Sequence, residues 1–181
     1  MKRRPPLAVT VFLVIVLTTF YLNCRGKQQE SLIPELYTDW SRLTDVELDY
    51  FIPGHESHYR IPYINEKGKE VTVSTNSSGR VTYDYPEGTI IVKEIYPTLT
   101  LREDDKPVML TVMIKNDDHP QAQEGWVWVV KDVASGGETI FKTDMCSNCH
   151  DGANGAHPYG DGNPEEEFRD YVYFPWTKET E

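Results

Sequence analysis

Cys146-Ser147-Asn148-Cys149-His150, taken together with its place near the end of the chain, decides how the fold is read. The stretch has the form C-x-x-C-H, the attachment pattern of a c-type haem. Two thiols at this separation add across the two vinyl groups of the ring, and the histidine that follows directly is placed under the iron as an axial ligand. Two other readings stand beside it. Half of a structural zinc site needs further Cys or His ligands at similar spacing, and here only His157 lies near. A thioredoxin-like dithiol follows a strand early in a βαβ unit. This motif instead sits late, among Asp, Asn, Gly and Pro.

Working back from the motif, Gly136-Gly137 marks a turn, and residues 125 to 133 contain Trp126-Val127-Trp128-Val129-Val130, a strand pattern. Residues 108 to 115 and 89 to 96 are further strand candidates, rich in β-branched side chains. Residues 58 to 64 alternate, with Tyr59, Ile61 and Tyr63 on one face. With the Asn65-Glu66-Lys67-Gly68 turn and residues 71 to 75 they predict a hairpin. Leu36, Trp40 and Leu43 recur at helical spacing, so residues 34 to 43 predict a short helix with these three in the core. Beyond His150 the chain reads as loop to Asn163, then as a helical turn over 165 to 171. The aromatic ending Tyr171-Val172-Tyr173-Phe174-Pro175-Trp176 should pack back onto the domain. The expected fold class is α+β and β-dominated, an antiparallel sheet with a few short helices. Two common haem folds do not suit. Ordinary small c cytochromes carry the motif early with a ligand Met downstream, and no Met follows His150. Four-helix cytochromes need four long amphipathic helices, which this sequence lacks.

The 181 residues divide into three expected parts: a signal peptide over 1–23, a tether over 24–33 and a haem-binding domain over 34–181. Lys2, Arg3 and Arg4 precede an apolar run over residues 7 to 22, short for a span that needs about 20 residues. Cys24 stands where a lipobox cysteine would be acylated. Asn23 departs from the small residue usual before it, so an ordinary signal peptide or an uncleaved anchor is the other reading. The three cysteines are then accounted for, Cys24 by the anchor and Cys146 and Cys149 by the haem. The expected location is outside the cytoplasmic membrane, periplasmic or held to the envelope by the lipid alone. Net charge is −11, and −14 once Lys2, Arg3 and Arg4 leave with the signal. That balance argues against nucleic acid as a partner. It would suit a basic redox protein, and it is also the plain solubility charge of an exported domain.

Pro86-Glu87-Gly88-Thr89-Ile90-Ile91-Val92-Lys93-Glu94, then Gly125-Trp126-Val127-Trp128, the haem motif and the closing Asp170-Tyr171-Val172-Tyr173 follow one another in an order that resembles the cytochrome P-460 family, with cytochrome c-prime-beta as a relative. The resemblance implies one covalent haem c on an antiparallel sheet, often in a homodimer, with His150 proximal and an open distal face. P-460 enzymes oxidise hydroxylamine and bond a lysine to the ring. The c-prime-beta proteins lack that bond and bind nitric oxide or similar gases. Lys93 is the candidate for the cross-link, because alternation puts it on one face with Ile91 and Ile95. The other reading is a lysine snorkelling at a sheet edge or paired with a carboxylate. Arg60 is a candidate partner for a haem propionate, with a solvated arginine as its alternative. His55, His58, His119 and His157 are candidate distal groups or surface histidines. Met109 and Met113 are candidate sixth ligands or core.

Three functions follow. An oxidoreductase would act on hydroxylamine at an open iron position, with Glu94 or Glu103 as the carboxylate that takes protons. A binding module would hold nitric oxide in an apolar pocket lined by Ile91, Trp126 and Trp128. A plain periplasmic electron carrier would want a second fixed ligand, against which the lack of a Met after His150 counts.

Overall fold

The computed structural model describes residues 31–53 and 57–177. Residues 1–30, with Cys24, and residues 54–56, with His55, lie outside the described part. Among the described residues no helix is long and apolar enough to cross a membrane.

Eight strands carry the chain: β1 (Ser41–Arg42), β2 (Arg60–Ile64), β3 (Thr72–Thr75), β4 (Val81–Asp84), β5 (Ile90–Ile95), β6 (Met109–Lys115), β7 (Trp126–Asp132) and β8 (Glu138–Ile140). Six form an antiparallel sheet in the order β1-β2-β5-β6-β7-β8, and β3 pairs with β4 as a separate ribbon. The only α-helix among the described residues is α1 (Met145–Asp151), followed by a 3-10 turn over Gly152–Asn154. The β-dominated α+β class expected from the strand patterns is the class observed.

Register sorts the side chains. Residues directly opposite in an antiparallel pair share a face, so Pro62, Lys93 and Thr111 are neighbours across β2, β5 and β6. The same face carries Arg60 and Ile64, Ile91 and Ile95, Met109 and Met113, and Trp126, Trp128 and Val130. One half of it forms the core: Ile64, Ile91, Met113, Trp126 and Trp128 pack with Leu43, Tyr83, Tyr85, Val172 and Trp176. Burial of large aromatic side chains is the main stabilising term in such a cluster. The aromatic ending packs back as expected, and the Trp176 backbone N–H donates to the Tyr85 hydroxyl at 2.9 Å.

Three local expectations fail. Residues 58–64 and 71–75 do not form a hairpin: β2 pairs with β1 and β5, while β3 pairs with β4. The Asn65 side chain explains the departure. Its Oδ1 accepts the backbone N–H groups of Gly68 (2.9 Å) and Ile90 (3.0 Å), and its Nδ2 donates to the Gly88 carbonyl (2.9 Å). The turn is thereby tied to the start of β5 rather than closed on itself. Residues 34–43 make only a 3-10 turn over Tyr37–Asp39 before β1, and Leu36 is 70 % exposed. Residues 165–171 are not helical; Phe168 instead bridges Thr82 of β4.

Candidate functional site

The C-x-x-C-H stretch is helical, an element for which the sequence offered no pattern. Helical spacing puts Cys146 and Cys149 on one side, with His150 one turn from Cys146. Ser147 faces the other way and is buried. Its hydroxyl donates to Gln123 Oε1 at 3.1 Å, with the Asp144 carbonyl 3.2 Å away, and Gln123 Nε2 donates to the Phe141 carbonyl at 3.2 Å. Ser147, between the cysteines, therefore fastens the helix through Gln123 to the loops flanking β7 and β8. Both thiols are free, Cys146 half-buried and Cys149 exposed. Burial pushes the Cys146 thiol up, against the pull of Lys93.

His150 is held on three sides. Its ring centroid lies 4.8 Å from the Trp128 ring and 5.4 Å from Tyr173. Its Nδ1 lies 2.8 Å from the Tyr171 carbonyl oxygen. A carbonyl only accepts, so Nδ1 carries the proton and Nε2 keeps its lone pair. Burial first, and the charge of Lys93 second, hold the imidazole down at about 3, while the bond to Tyr171 opposes them. A neutral ring with Nδ1–H donated and Nε2 free is the form that ligates a metal.

Lys93 projects from β5 towards this helix. Burial and the Arg60 guanidinium push its amine down from 10.5 to about 8, and the thiols of Cys149 and Cys146 pull the other way. Protein surrounds it, yet solvent reaches part of its surface, as it does Met109, Thr111 and Val130 on the same face. On the opposite face Val92, Leu110, Val112 and Val129 are all buried. Beside α1 the sheet thus presents a half-buried ledge. The Trp128 indole N–H is also buried with no hydrogen-bond partner. Two thiols three residues apart, a free imidazole lone pair, a flat ledge and a spare donor are together a donor set that fits a haem.

The comparisons agree. The sequence model of the cytochrome P460 family matches residues 34–174. The chain belongs to the cytochrome P460 family. It is accordingly a haem-binding cytochrome. No curated protein sequence matches the chain.

The other candidates separate within this P460 domain. Arg60 is not solvated: it is 3 % exposed and shares the face of Lys93. Its Nε and Nη2 donate to the Leu48 carbonyl at 3.2 and 3.1 Å, and Nη2 to the Tyr50 carbonyl at 2.6 Å. Glu94 points to the opposite face, where the hydroxyls of Tyr37 (2.9 Å), Tyr96 (2.8 Å) and Tyr63 (3.3 Å) donate to it, so it does not reach the ledge. Glu103 is exposed in the loop between β5 and β6. Met113 is core, and Met109 lies on the ledge. His157 meets Tyr173 edge-on, 4.9 Å between centroids, and Tyr173 in turn meets His150, so His157 lies on the side of His150 rather than across from it. His119 closes its own turn, its Nδ1 accepting the Gln121 N–H at 3.1 Å. His58 leads into β2, and its Nδ1 is buried without a hydrogen-bond partner. Ile91 and Trp126 sit in the core cluster, while Trp128 backs His150. The residues that sequence reasoning missed are Tyr171, which acts through its backbone carbonyl, and Tyr173, whose hydroxyl donates to the Cys149 carbonyl at 2.8 Å. The Asp170-Tyr171-Val172-Tyr173 ending was a visible signal, but a main-chain acceptor leaves no mark in residue identity.

Proposed function

We propose that this chain is an exported cytochrome holding one haem c through Cys146 and Cys149, with His150 as the proximal ligand and an open distal position for small nitrogen compounds. When bound, the haem supplies a redox-active iron. The chain's own residues hold it: the thiols through α1, and the neutral imidazole through the Tyr171 carbonyl. The observation that carries the reading is Lys93, an amine with its proton affinity lowered, set on the ledge beside both thiols. Such an amine can act as a nucleophile near neutral pH, which supports a lysine bond to the ring, formed with loss of one proton from the amine, one from the ring carbon and two electrons to an oxidant of the peroxide class, and hence hydroxylamine oxidation.

Binding of nitric oxide without turnover is the second reading. It is favoured by the placement of Glu94 behind the sheet, which removes the expected proton acceptor from the ledge. A plain electron carrier would need a second fixed ligand; Met113 is spent on packing, which leaves Met109 on the ledge as the methionine candidate for it. Export and a lipid at Cys24 rest on the charged start and apolar run of the N-terminus, and a homodimer on the family resemblance.

Mass spectrometry of the mature protein from its native host tests these points together. Haem is expected on the peptide holding Cys146 and Cys149, a further bond to Lys93, and an acylated Cys24 as first residue. The ferrous protein is then exposed to nitric oxide and the ferric protein to hydroxylamine, with Lys93→Ala beside the wild type. Loss of hydroxylamine oxidation in Lys93→Ala supports the enzyme. A wild type with no Lys93 bond and no oxidation moves the function to gas binding. A six-coordinate ferrous spectrum in the wild type overturns the open position.

A further inference from the structure

The carbonyl that meets His150 is delivered by an unusual piece of backbone. Asp170 and Tyr171 are consecutive, neither is glycine, and both have positive φ, 48° and 68°. L side chains rarely adopt this region, and a run of two must be held there by its surroundings. Followed from Arg169, the chain reaches the Tyr171 carbonyl through the φ and ψ torsions of Asp170 and Tyr171, so this pair decides where that oxygen points.

Most of the anchoring falls on Asp170. Its carboxylate, buried against the fully buried Trp126, accepts Lys115 Nζ at 3.1 and 3.0 Å. It also accepts the Trp126 indole N–H at 3.2 Å and the Tyr85 backbone N–H at 3.4 Å. Lys115 Nζ lies 5.1 Å over the Trp126 ring. Lys115 and Trp126 are cross-strand partners on β6 and β7, so the anchor is part of the sheet itself. Tyr171 is held more lightly: its N–H donates to Asn154 Oδ1 at 3.2 Å, an oxygen shared with the Arg169 N–H at 2.9 Å.

A buried ion pair is a weak stabiliser, since desolvation offsets most of the attraction. What it supplies is a fixed geometry. We propose that the Lys115–Asp170 pair is a positioning device for His150: it locks the left-handed pair so that the Tyr171 carbonyl stays on Nδ1–H. Through that bond it sets the basicity of the imidazole and the electronic state of whatever iron it ligates. The inference rests on His150 being the axial ligand. A firm Nδ1–H bond makes the imidazole a stronger donor and favours ferric iron; loosening it should weaken the iron–histidine bond and favour ferrous iron.

The test uses the holoprotein, with resonance Raman of the ferrous form for the iron–histidine stretch and a potentiometric titration for the midpoint. Lys115→Met and Asp170→Asn are expected to lower the stretching frequency and raise the midpoint potential, with far-UV circular dichroism unchanged. Lys131→Met serves as the control. It removes the Lys131–Glu138 pair, 3.1 Å long, on the opposite face of the same sheet, and is expected to move neither quantity. Folded Lys115 and Asp170 variants with wild-type frequency and potential overturn the proposal. So does a Lys131→Met shift of equal size. If Asp170→Asn does not fold, Lys115→Met decides alone, since Asp170 keeps its bonds from Trp126 and Tyr85. A wild type without any iron–histidine band overturns the ligation of His150 itself, which is a different result.

Discussion

At the scale of single residues, Lys93 shows how much strand alternation conveys. The Ile91-Lys93-Ile95 spacing placed its side chain on a largely apolar face, and that face looks onto the haem motif. The amine's proton affinity is lowered from 10.5 to about 8, so folding disfavours its charged form. In the haem-free chain the cost of that charge is therefore present below about pH 8 and absent above about 10.5. Lys93→Met should raise the stability of that chain at pH 7 by roughly 1 to 2 kcal/mol, allowing for the solvent that reaches a half-buried amine. The gain should vanish at pH 10.5, the unperturbed value for the amine. Urea unfolding at the two pH values measures this; an equal gain at both would assign it to packing instead. Arg60 was legible as a residue alternating away from Tyr59 and Ile61, but not as a buried one. Its acceptors, the carbonyls of Leu48 and Tyr50, lie in a loop whose path the sequence does not encode in any periodic form. Glu94 was misread for a simpler reason: on a strand it must face away from its neighbour Lys93.

Among elements, the strands from 89 to 133 were readable because a sheet buried on both faces leaves β-branched and aromatic runs. Which strand pairs with which was not. Alternation fixes the face of a strand and says nothing of its partner. The turn after β2 looks like a hairpin turn, and the deciding interaction is one side chain reaching the strand that follows much later. Asn65 satisfies three backbone groups, on Gly68, Gly88 and Ile90. Asn65→Ala removes all three bonds, leaving the Ile90 N–H and the Gly88 carbonyl unmet, while the Gly68 N–H keeps the Asn65 backbone carbonyl at 3.0 Å. It should cost about 2 to 3 kcal/mol and lower the urea midpoint with an unchanged slope. A loss below about 0.5 kcal/mol would mean that water replaces the amide freely and that the β2–β5 pairing needs no such tie. The helical α1 was not readable either. Its seven residues carry no apolar stripe, and its single buried side chain is Ser147, so the helix is fixed by Gln123 and the Cys149–Tyr173 contact rather than by its own pattern.

For the molecule as a whole, the charge balance bears on electron exchange. Acidic residues outnumber basic ones by 29 to 18 along the chain. Asp144 precedes α1 and Asp151 ends it, and the loop beyond adds Asp161, Glu165, Glu166 and Glu167. Arg169 neutralises only part of this, through Asp161 at 2.6 Å and Glu167 at 2.9 Å. A redox reagent approaching the cysteine side of α1 therefore enters a negative field. Such a field concentrates cations, repels anions, and is screened within a Debye length of about 10 Å at 0.1 M salt. The ferrous holoprotein should pass its electron to a cationic cobalt complex at a rate that falls as salt is added. With ferricyanide the rate should rise. For each reagent the change between about 10 mM and 0.5 M salt should be on the order of tenfold. Stopped-flow mixing at fixed pH measures both slopes. Opposite signs mark acidic surroundings at the exchange edge and select a basic protein as redox partner. Two flat slopes would show that the acidic charge lies away from that edge, leaving it as the ordinary solubility charge of the domain.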